Sequence, residues 1–206
     1  MSKKLYIQNY CSIKDHTITL NGKVIYKNNT NDVKSFFKNI YNNLEIKHSK
    51  FFKMDNLCKL TFLATEVLLK NLDFHLKDRE NLSIVLLNNS SSLDTDRKHQ
   101  ETINSKESYY PSPAIFVYTL PNIAIGEISI RHQIKGENAF FVSKIFNEKL
   151  LEQYATSLIN NKKSKHILCG WIDFDDNKYH AFMYLVAEEG DYNHSQEFIK
   201  KAYNEN

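Results

Sequence analysis

The 206-residue chain is short of cysteine, and the few cysteines it has argue against two classes of protein. Cys11, Cys58 and Cys169 are odd in number, far apart and set among apolar residues. That pattern favours buried free thiols over a disulfide framework or a zinc site. Long apolar runs are missing as well, since none approaches the length that crosses a bilayer, and Met1–Lys14 has no signal-peptide core. We therefore expect no membrane span and a cytoplasmic location.

A large excess of charge of either sign is also lacking. The 27 Lys and Arg residues nearly balance the 24 Asp and Glu residues, and the net charge of +3 is too small to indicate a nucleic-acid partner. The one basic cluster, in Asn160–His166, is typical of a solvated helix C-terminus. No side chains have the spacing of metal ligands, so we expect no metal ion and no cofactor.

The apolar residues follow the periods of strands and helices. Strands are predicted at Leu5–Ile13, on both sides of the turn Asn21-Gly22, at Leu82–Asn89 and Ala139–Ser143, and in HILCGWIDF and YHAFMYLVAEE, which form an antiparallel pair. Helices are predicted at Asn31–Leu44, after a cap at Asp55, at Asn147–Asn160 and at about Ser195 to Ala202. Ser90–Tyr110 is polar and unpatterned, which indicates a long loop or a loop that holds a short helix. This order predicts a single α/β domain over residues 1–206 with a mostly parallel sheet.

All three prolines and two of the five glycines fall in or just before one stretch, Tyr118–Phe146. Pro121 fits the first turn of a helix, and Gly136 fits the turn after that helix ends. The overlapping segment SPAIFVYTLPNIAIGEISIRHQIKGEN resembles the one before the active-site cysteine of β-ketoacyl synthases, the condensing enzymes of fatty-acid and polyketide assembly. The resemblance is carried by Pro113, Leu120-Pro121-Asn122, Gly126, Ile128, Ile130-Arg131 and Gly136-x-Asn138.

Other segments follow in the order of that family. YIQNYCSI is similar to the family's first strand, Lys53-Met54-Asp55 stands where the family has Arg-Met-Asp, and Gly170-Trp171 stands where it has a Gly-Gly pair. The resemblance covers most of this chain but only the N-terminal half of a complete synthase. The chain is most similar to short bacterial proteins called β-ketoacyl synthase-like N-terminal domains, some of which are associated with aryl-polyene or flexirubin-type pigment assembly.

The resemblance implies a thiolase-like half-fold, which is a five-stranded, mostly parallel sheet with an antiparallel last strand and helices on its faces. In the family, the proline-rich segment and its helix lie at the dimer interface, and the edge strand that follows pairs with its twin. Ala139–Ser143 is the matching strand here. The residues predicted at a partner or acyl-pocket interface are Phe116, Tyr118, Leu120, Asn122, Ile123, Phe140 and Val142. Packing in this protein's own core is the alternative for the apolar ones in 116–123.

The position that matches the family's nucleophilic cysteine is Ile145, and an isoleucine can neither attack a thioester nor accept an acyl group. The two histidines, the lysine and part of the oxyanion hole that complete the family's active site belong to the second half, which this chain is expected to lack. Cys169 and His166 cannot replace them, because strand positions three apart point to opposite faces. The resemblance therefore implies a chain that is not an enzyme on its own.

Asn147–Asn160 carries Glu148 and Glu152 on a polar face, although the matching helix of a complete synthase is apolar nearly all round. Burying an unpaired carboxylate is costly, so we expect the half-fold to stand without a second layer. His132, at the end of the interface helix, is expected to be a surface or capping residue, and contact with a partner is the alternative. His180, in an apolar strand, is expected to be a core residue with its hydrogen bonds satisfied.

The leading hypothesis is a non-catalytic accessory subunit, similar to the chain-length-factor partners of type II condensing enzymes. Its strand at Ala139–Ser143 would extend the sheet of a complete β-ketoacyl synthase, and an acyl carrier protein is a further candidate partner. The alternative is a stand-alone acyl-binding or small-ligand-binding homodimer that uses the same edge. An enzyme with unfamiliar chemistry is the third hypothesis.

Overall fold

The computed structural model describes residues 4–28, 32–70, 72, 76–107 and 109–205. Its strands are β1 (Tyr6–Lys14), β2 (Thr17–Leu20), β3 (Lys23–Lys27), β4 (Leu82–Asn88), β5 (Asn138–Val142), β6 (His166–Asp175), β7 (Lys178–Ala187) and β8 (Tyr192–Asn193). Its α-helices are α1 (Val33–Asn43), α2 (Asn56–Leu69), α3 (Leu76–Glu80), α4 (Leu93–Glu101), α5 (Pro113–Phe116), α6 (Ile123–His132), α7 (Glu148–Asn160) and α8 (Gln196–Asn204). Two short 3₁₀ turns lie at Ser49–Lys53 and Val117–Thr119.

All of these strands belong to one sheet, in the order β3-β2-β1-β7-β6-β4-β5, with β8 beside β1. In the five strands from β1 to β5 along this order, β4 runs parallel to β5 and β6, while β7 runs antiparallel to β6 and β1. Of these five strands, only β7 runs in the direction opposite to the others, as the predicted half-fold requires. The sheet is wider than five strands because the turns at Asp15-His16 and Asn21-Gly22 have positive φ angles, which favour tight hairpins and add β2 and β3.

Two hydrophobic layers cover the sheet. Helices α1, α2 and α6 pack on one face, and α7 and α8 pack on the other. The central strand β4 is buried along its whole length, with Ile84 and Leu86 in the first layer and Val85 and Leu87 in the second. This double burial explains why its sequence is a continuous apolar run.

Local capping sets most of the helix boundaries. Asp32 caps α1, so that helix starts at Val33, and the predicted start at Asn31 lies outside the described residues. The predicted cap of α2 is confirmed, because Asp55 Oδ1 accepts a hydrogen bond from the Cys58 N–H at 2.8 Å. The segment 90–110 was predicted to be either a long loop or a loop that holds a short helix. The structure shows the second arrangement, with the nine-residue helix α4 inside the loop.

The proline and glycine of the interface segment act differently from the prediction. Pro121 lies two residues before α6, and Gln133, with φ of 58°, ends that helix in the left-handed region. Gly136 is needed for a different reason, because a Cβ atom there would lie 2.2 Å from the Leu82 carbonyl oxygen. Its role is to let the chain pass close to the start of β4.

Among the described residues, no single helix has the length and apolar composition to cross a membrane. The segments Pro113–Thr119 and Ile123–His132 reach that length and composition only when counted together, and they meet at an angle of 98°.

The C-terminal helix α8 is anchored beside a buried histidine. The His194 N–H donates to the Leu5 carbonyl at 3.0 Å, and the Ser195 hydroxyl caps α8 by accepting from the Phe198 N–H at 3.2 Å. The His194 side chain is only 8% exposed, and neither ring nitrogen has a hydrogen-bond partner. Burial lowers the pKa of His194 from 6.5 to about 4.

The His194 pKa predicts a loss of stability in mild acid. The unfolded chain binds a proton at this residue near pH 6.5, whereas the folded chain does so only near pH 4. Protonation of His194 therefore lowers stability as the pH drops through this window, and its contribution is about 2 kcal/mol between pH 7 and pH 5. Urea unfolding of the wild type and of His194→Leu at both pH values checks this. The variant should lose about 2 kcal/mol less over that interval, and equal losses in the two proteins would refute the assignment.

Candidate functional site

The candidate site lies at the edge of the sheet where β4, β5 and β6 end. Ile145 follows β5 by three residues and precedes α7, and it is 71% exposed. The Ser143 hydroxyl donates to the Ile145 carbonyl at 2.7 Å, and Asn147 Oδ1 caps α7 by accepting from the Leu150 N–H at 2.9 Å. An aliphatic side chain is thus presented to solvent just before the positive end of a helix.

Aromatic side chains fill the space beside Ile145. The rings of Phe146 and Tyr203 stack with centroids 3.9 Å apart and planes 7° apart. Trp171 and Phe182 contact the Phe146 ring edge-on at 6.1 and 5.9 Å. Because Tyr203 belongs to α8, the chain's own C-terminal helix occupies this space. Two clefts of about 790 and 470 Å³ flank the stack, and Trp171 and Tyr203 line both.

Two carboxylates that line these clefts are engaged within the chain. Asp173 Oδ1 accepts from the N–H groups of Asn89 and Ser90 at 3.1 and 2.8 Å, which holds the turn between β4 and α4. Asp175 forms an ion pair with Arg97 of α4. This arrangement fixes α4 over the end of β6, and it offers structural ion pairs rather than an activated nucleophile.

Two histidine predictions are wrong. His180 stacks on Tyr203 at 4.7 Å, and its Nε2 is buried without a hydrogen-bond partner, so it is not satisfied. Burial lowers the pKa of His180 to about 4. His132 is buried rather than on the surface, and its Nε2 lies 3.3 Å from Glu66 Oε1, which also accepts from Arg131 at 2.8 Å. The distant carboxylate that draws His132 inward has no local sequence signal.

The three cysteines are buried free thiols, as predicted. Burial raises the pKa of Cys11 to about 12 and raises the pKa values of Cys58 and Cys169 well above the ordinary range. Cys169 packs in the layer under α7, which is the opposite face from the one that His166 occupies three positions earlier on β6. None of the three thiols is placed to capture an acyl group.

Buried, protonated thiols should resist alkylation. Native protein treated with iodoacetamide at pH 8 is expected to gain no adduct by intact mass, under conditions in which the urea-unfolded chain gains three. The Ile145→Cys variant is the matched control, because a thiol at this exposed position should add one adduct to the native protein. A rapid adduct on the wild type would contradict the assignment.

The open edge of β5 is the second part of the site. Within the described residues β5 pairs only with β4, so its outer side has no strand partner. The seven predicted interface residues divide into two sets. Exposed to solvent are Phe116, Leu120, Asn122 and Val142. Packed against the first core layer are Tyr118, Ile123 and Phe140.

Tyr118 shows why some of these residues turn inward. Its hydroxyl donates to Glu127 Oε1 at 3.2 Å, and Glu127 is itself buried and lies 2.9 Å from the Lys50 ammonium through Oε2. Burial raises the pKa of the Tyr118 hydroxyl above its usual range. Of the seven residues predicted at the interface, Tyr118 is thus held in an internal polar network.

Two further exposed apolar residues were missed by the sequence analysis. Val117 and Leu93 are both well exposed, and their elements pack against α5. The Ser92 hydroxyl donates to the Thr119 carbonyl at 2.7 Å, which ties the start of α4 to the same segment. Leu93 lies in the polar stretch that has no apolar period, so no pattern could single it out.

Comparison with known proteins bears on the fold. No family model matches the chain, and no curated protein matches it. Among solved structures, the ishigamide ketosynthase/chain length factor matches with a TM-score of 0.64 and 15% identity, over 89% of this chain and 62% of that one. A ketosynthase in complex with its chain length factor from Xenorhabdus doucetiae matches with a TM-score of 0.61 and 10% identity, over 98% of this chain and 90% of that one.

A third match is the complex of a type II polyketide acyl-carrier protein with its ketosynthase bound to the hexaketide. It has a TM-score of 0.66 and 13% identity, over 98% of this chain and 66% of that one. This chain thus spans less than two thirds of the first and third of these proteins. The strand order and the reversed β7 agree with these matches. The chain has the thiolase-like half-fold of the ketosynthase structures that it resembles.

Proposed function

We propose that this chain is a non-catalytic partner subunit of a ketosynthase and acts in the manner of a chain length factor. The observation that carries the proposal is the open edge of β5, which pairs only with β4 among the described residues. An unpaired strand edge presents N–H and C=O groups to another chain, and soluble proteins usually cover or blunt such edges. Here the last residue of the strand, Val142, is apolar and 59% exposed.

A second surface, formed by α4, α5 and residues 117–120, has the composition of a contact surface. Leu93, Phe116, Val117 and Leu120 are all exposed, and they lie on elements that pack on one another. Contiguous exposed apolar patches often mark protein interaction sites.

The absence of a usable nucleophile supports a non-catalytic role. Ile145 stands where the resemblance places the nucleophile, and the three thiols are buried with raised pKa values. Two of the matched structures are described as a ketosynthase with a chain length factor, and the matched chain in one of them is nearly as short as this one. Those descriptions support a partner role for a chain of this size.

The test is recovery of a partner from the native host. The tagged full chain should bring down a ketosynthase in stoichiometric amount, identified by mass spectrometry of the eluted proteins. Recovery of the chain alone, in a monomeric state by light scattering, would end the proposal. Recovery of an acyl carrier protein with the ketosynthase would extend it.

The stand-alone homodimer is the second candidate, and the charges at the ends of β5 favour it. Glu137 precedes the strand and Lys144 follows it, so antiparallel pairing of two copies brings opposite charges near each other at both ends. Light scattering separates the two candidates, because a stable homodimer occupies the edge that a ketosynthase needs. The single-domain assignment for 1–206, the pigment or polyketide pathway and the cytoplasmic location stay predictions.

A further inference from the structure

The sheet has a second open edge, at the end opposite β5. The outermost strand there is β3, which pairs with β2 on one side and, among the described residues, with no strand on the other. Val24 is 61% exposed and Ile25 is about half exposed. The flanking residues Lys23 and Lys27 are exposed as well. The edge strand β3 therefore carries two exposed apolar side chains, with an exposed lysine before them and another after them in the chain.

The residues around this edge carry a net positive charge. Residues 14–38 contain five lysines, two aspartates, no glutamate and no arginine, so they carry +3, which equals the net charge of the whole chain. Lys34 and Lys38 are exposed on α1, which packs next to β3 through a contact of Phe36 with Tyr26 at 6.2 Å. One of the two aspartates, Asp32, is engaged in capping α1.

We propose that the β3 edge binds an extended acidic peptide segment of another protein by strand addition. Backbone groups of β3 would pair with the segment, the exposed Val24 would contact an apolar residue of it, and Lys23 and Lys27 would face its carboxylates. The two lysines favour an acidic segment over a second copy of this chain. A second copy of β3 in antiparallel register would place Lys23 opposite Lys27 at both ends, and like charges directly opposite each other are destabilising.

A peptide fits the surface better than a nucleic acid does. Recognition of phosphate favours arginine, whose planar fork binds two oxygens, and residues 14–38 contain none. The exposed apolar side chains of Val24 and Ile25 lie on an edge strand, where an added strand could contact them. A phosphate backbone would make no favourable contact with these apolar side chains. This binding goes beyond the proposed function. Six strand spacings, about 29 Å, separate β3 from β5, so the two edges can be occupied together.

The test is a titration of the ¹⁵N-labelled full chain with two blocked five-residue peptides, EVSVE and KVSVK. They share length and apolar residues and differ only in the sign of their charges. EVSVE is expected to shift the amide signals of residues 23–27 saturably and to bind about tenfold tighter than KVSVK. Its affinity should fall as salt is added. Equal binding of both peptides, no binding, or shifts confined to other strands would overturn the proposal.

A charge-swapped variant distinguishes charge-selective binding from nonspecific binding. The double substitution Lys23→Glu and Lys27→Glu should reverse the preference, so that KVSVK binds about tenfold tighter. Both side chains are exposed, and circular dichroism should show an unchanged fold. Stronger shifts of the same amides by a single-stranded oligothymidylate than by EVSVE would overturn the peptide proposal in favour of a nucleic-acid surface.

Discussion

Replacing Gly136 with alanine is expected to lower the free energy of unfolding by about 3 kcal/mol or more. The new Cβ atom would lie 2.2 Å from the carbonyl oxygen and 2.7 Å from the carbonyl carbon of Leu82. Those atoms belong to the backbone at the start of the buried strand β4, which cannot move aside as a flexible side chain could. The adjacent backbone is also fixed, because the Ile84 N–H donates to the Glu137 carbonyl at 3.0 Å.

Gly126 provides the matched control for this substitution. It lies within α6, and a Cβ atom added there has no heavy atom within 4 Å. Alanine at this position should raise the free energy of unfolding by about 0.5–1 kcal/mol, because it removes the backbone entropy cost of a helical glycine. Urea unfolding followed by circular dichroism measures both variants. Equal stability of the Gly136→Ala variant and the wild type would show that the close approach to Leu82 is not a real constraint.

The fold was largely predictable because its signals are local. Turn dipeptides such as Asn21-Gly22, the cap at Asp55 and the continuous apolar run of β4 each specify a structure within a few residues. The role of Gly136 was not predictable in this way. The steric demand on Gly136 comes from Leu82, which is far away in sequence, and only the assembled sheet brings the two together.

The site was predictable only in part, for the same reason. An apolar residue in a loop or short helix carries no period that reveals whether it faces outward. Phe116 and Leu120 face solvent, whereas Tyr118 between them turns inward because Glu127 is there to accept its hydroxyl. The stacking of Tyr203 on Phe146 likewise depends on where α8 docks, which its amphipathic pattern does not specify.

The docking of α8 bears on how α7 is covered. The helix α7 keeps Gln153 and Ser157 in solvent and buries only one side. The helix α8 covers part of what remains, with a Lys200–Glu148 ion pair at 3.8 Å. The helix α8 thus shields part of this face within the chain itself.

The substitution Val142→Asp is expected to raise the dissociation constant for the ketosynthase partner by about 100-fold or more. In the proposed complex Val142 is buried at the paired edge, so an aspartate there would be an unpaired charge that must lose its water. The free chain should tolerate the change, because Val142 is 59% exposed. The measurement is the dissociation constant of the recovered ketosynthase for the purified variant, with circular dichroism as a check on folding.

Val24→Asp is a matched control for this experiment, because Val24 is also a valine on an edge strand and is 61% exposed. The two edges lie at opposite ends of the sheet, so a charge on β3 should leave ketosynthase binding unchanged while it weakens binding of the EVSVE peptide. A charge on β5 should have the reverse effects. If both substitutions weakened the ketosynthase complex equally, the loss would reflect general surface charge, and β5 could not be the docking edge. If neither did, the partner would have to bind elsewhere on the chain.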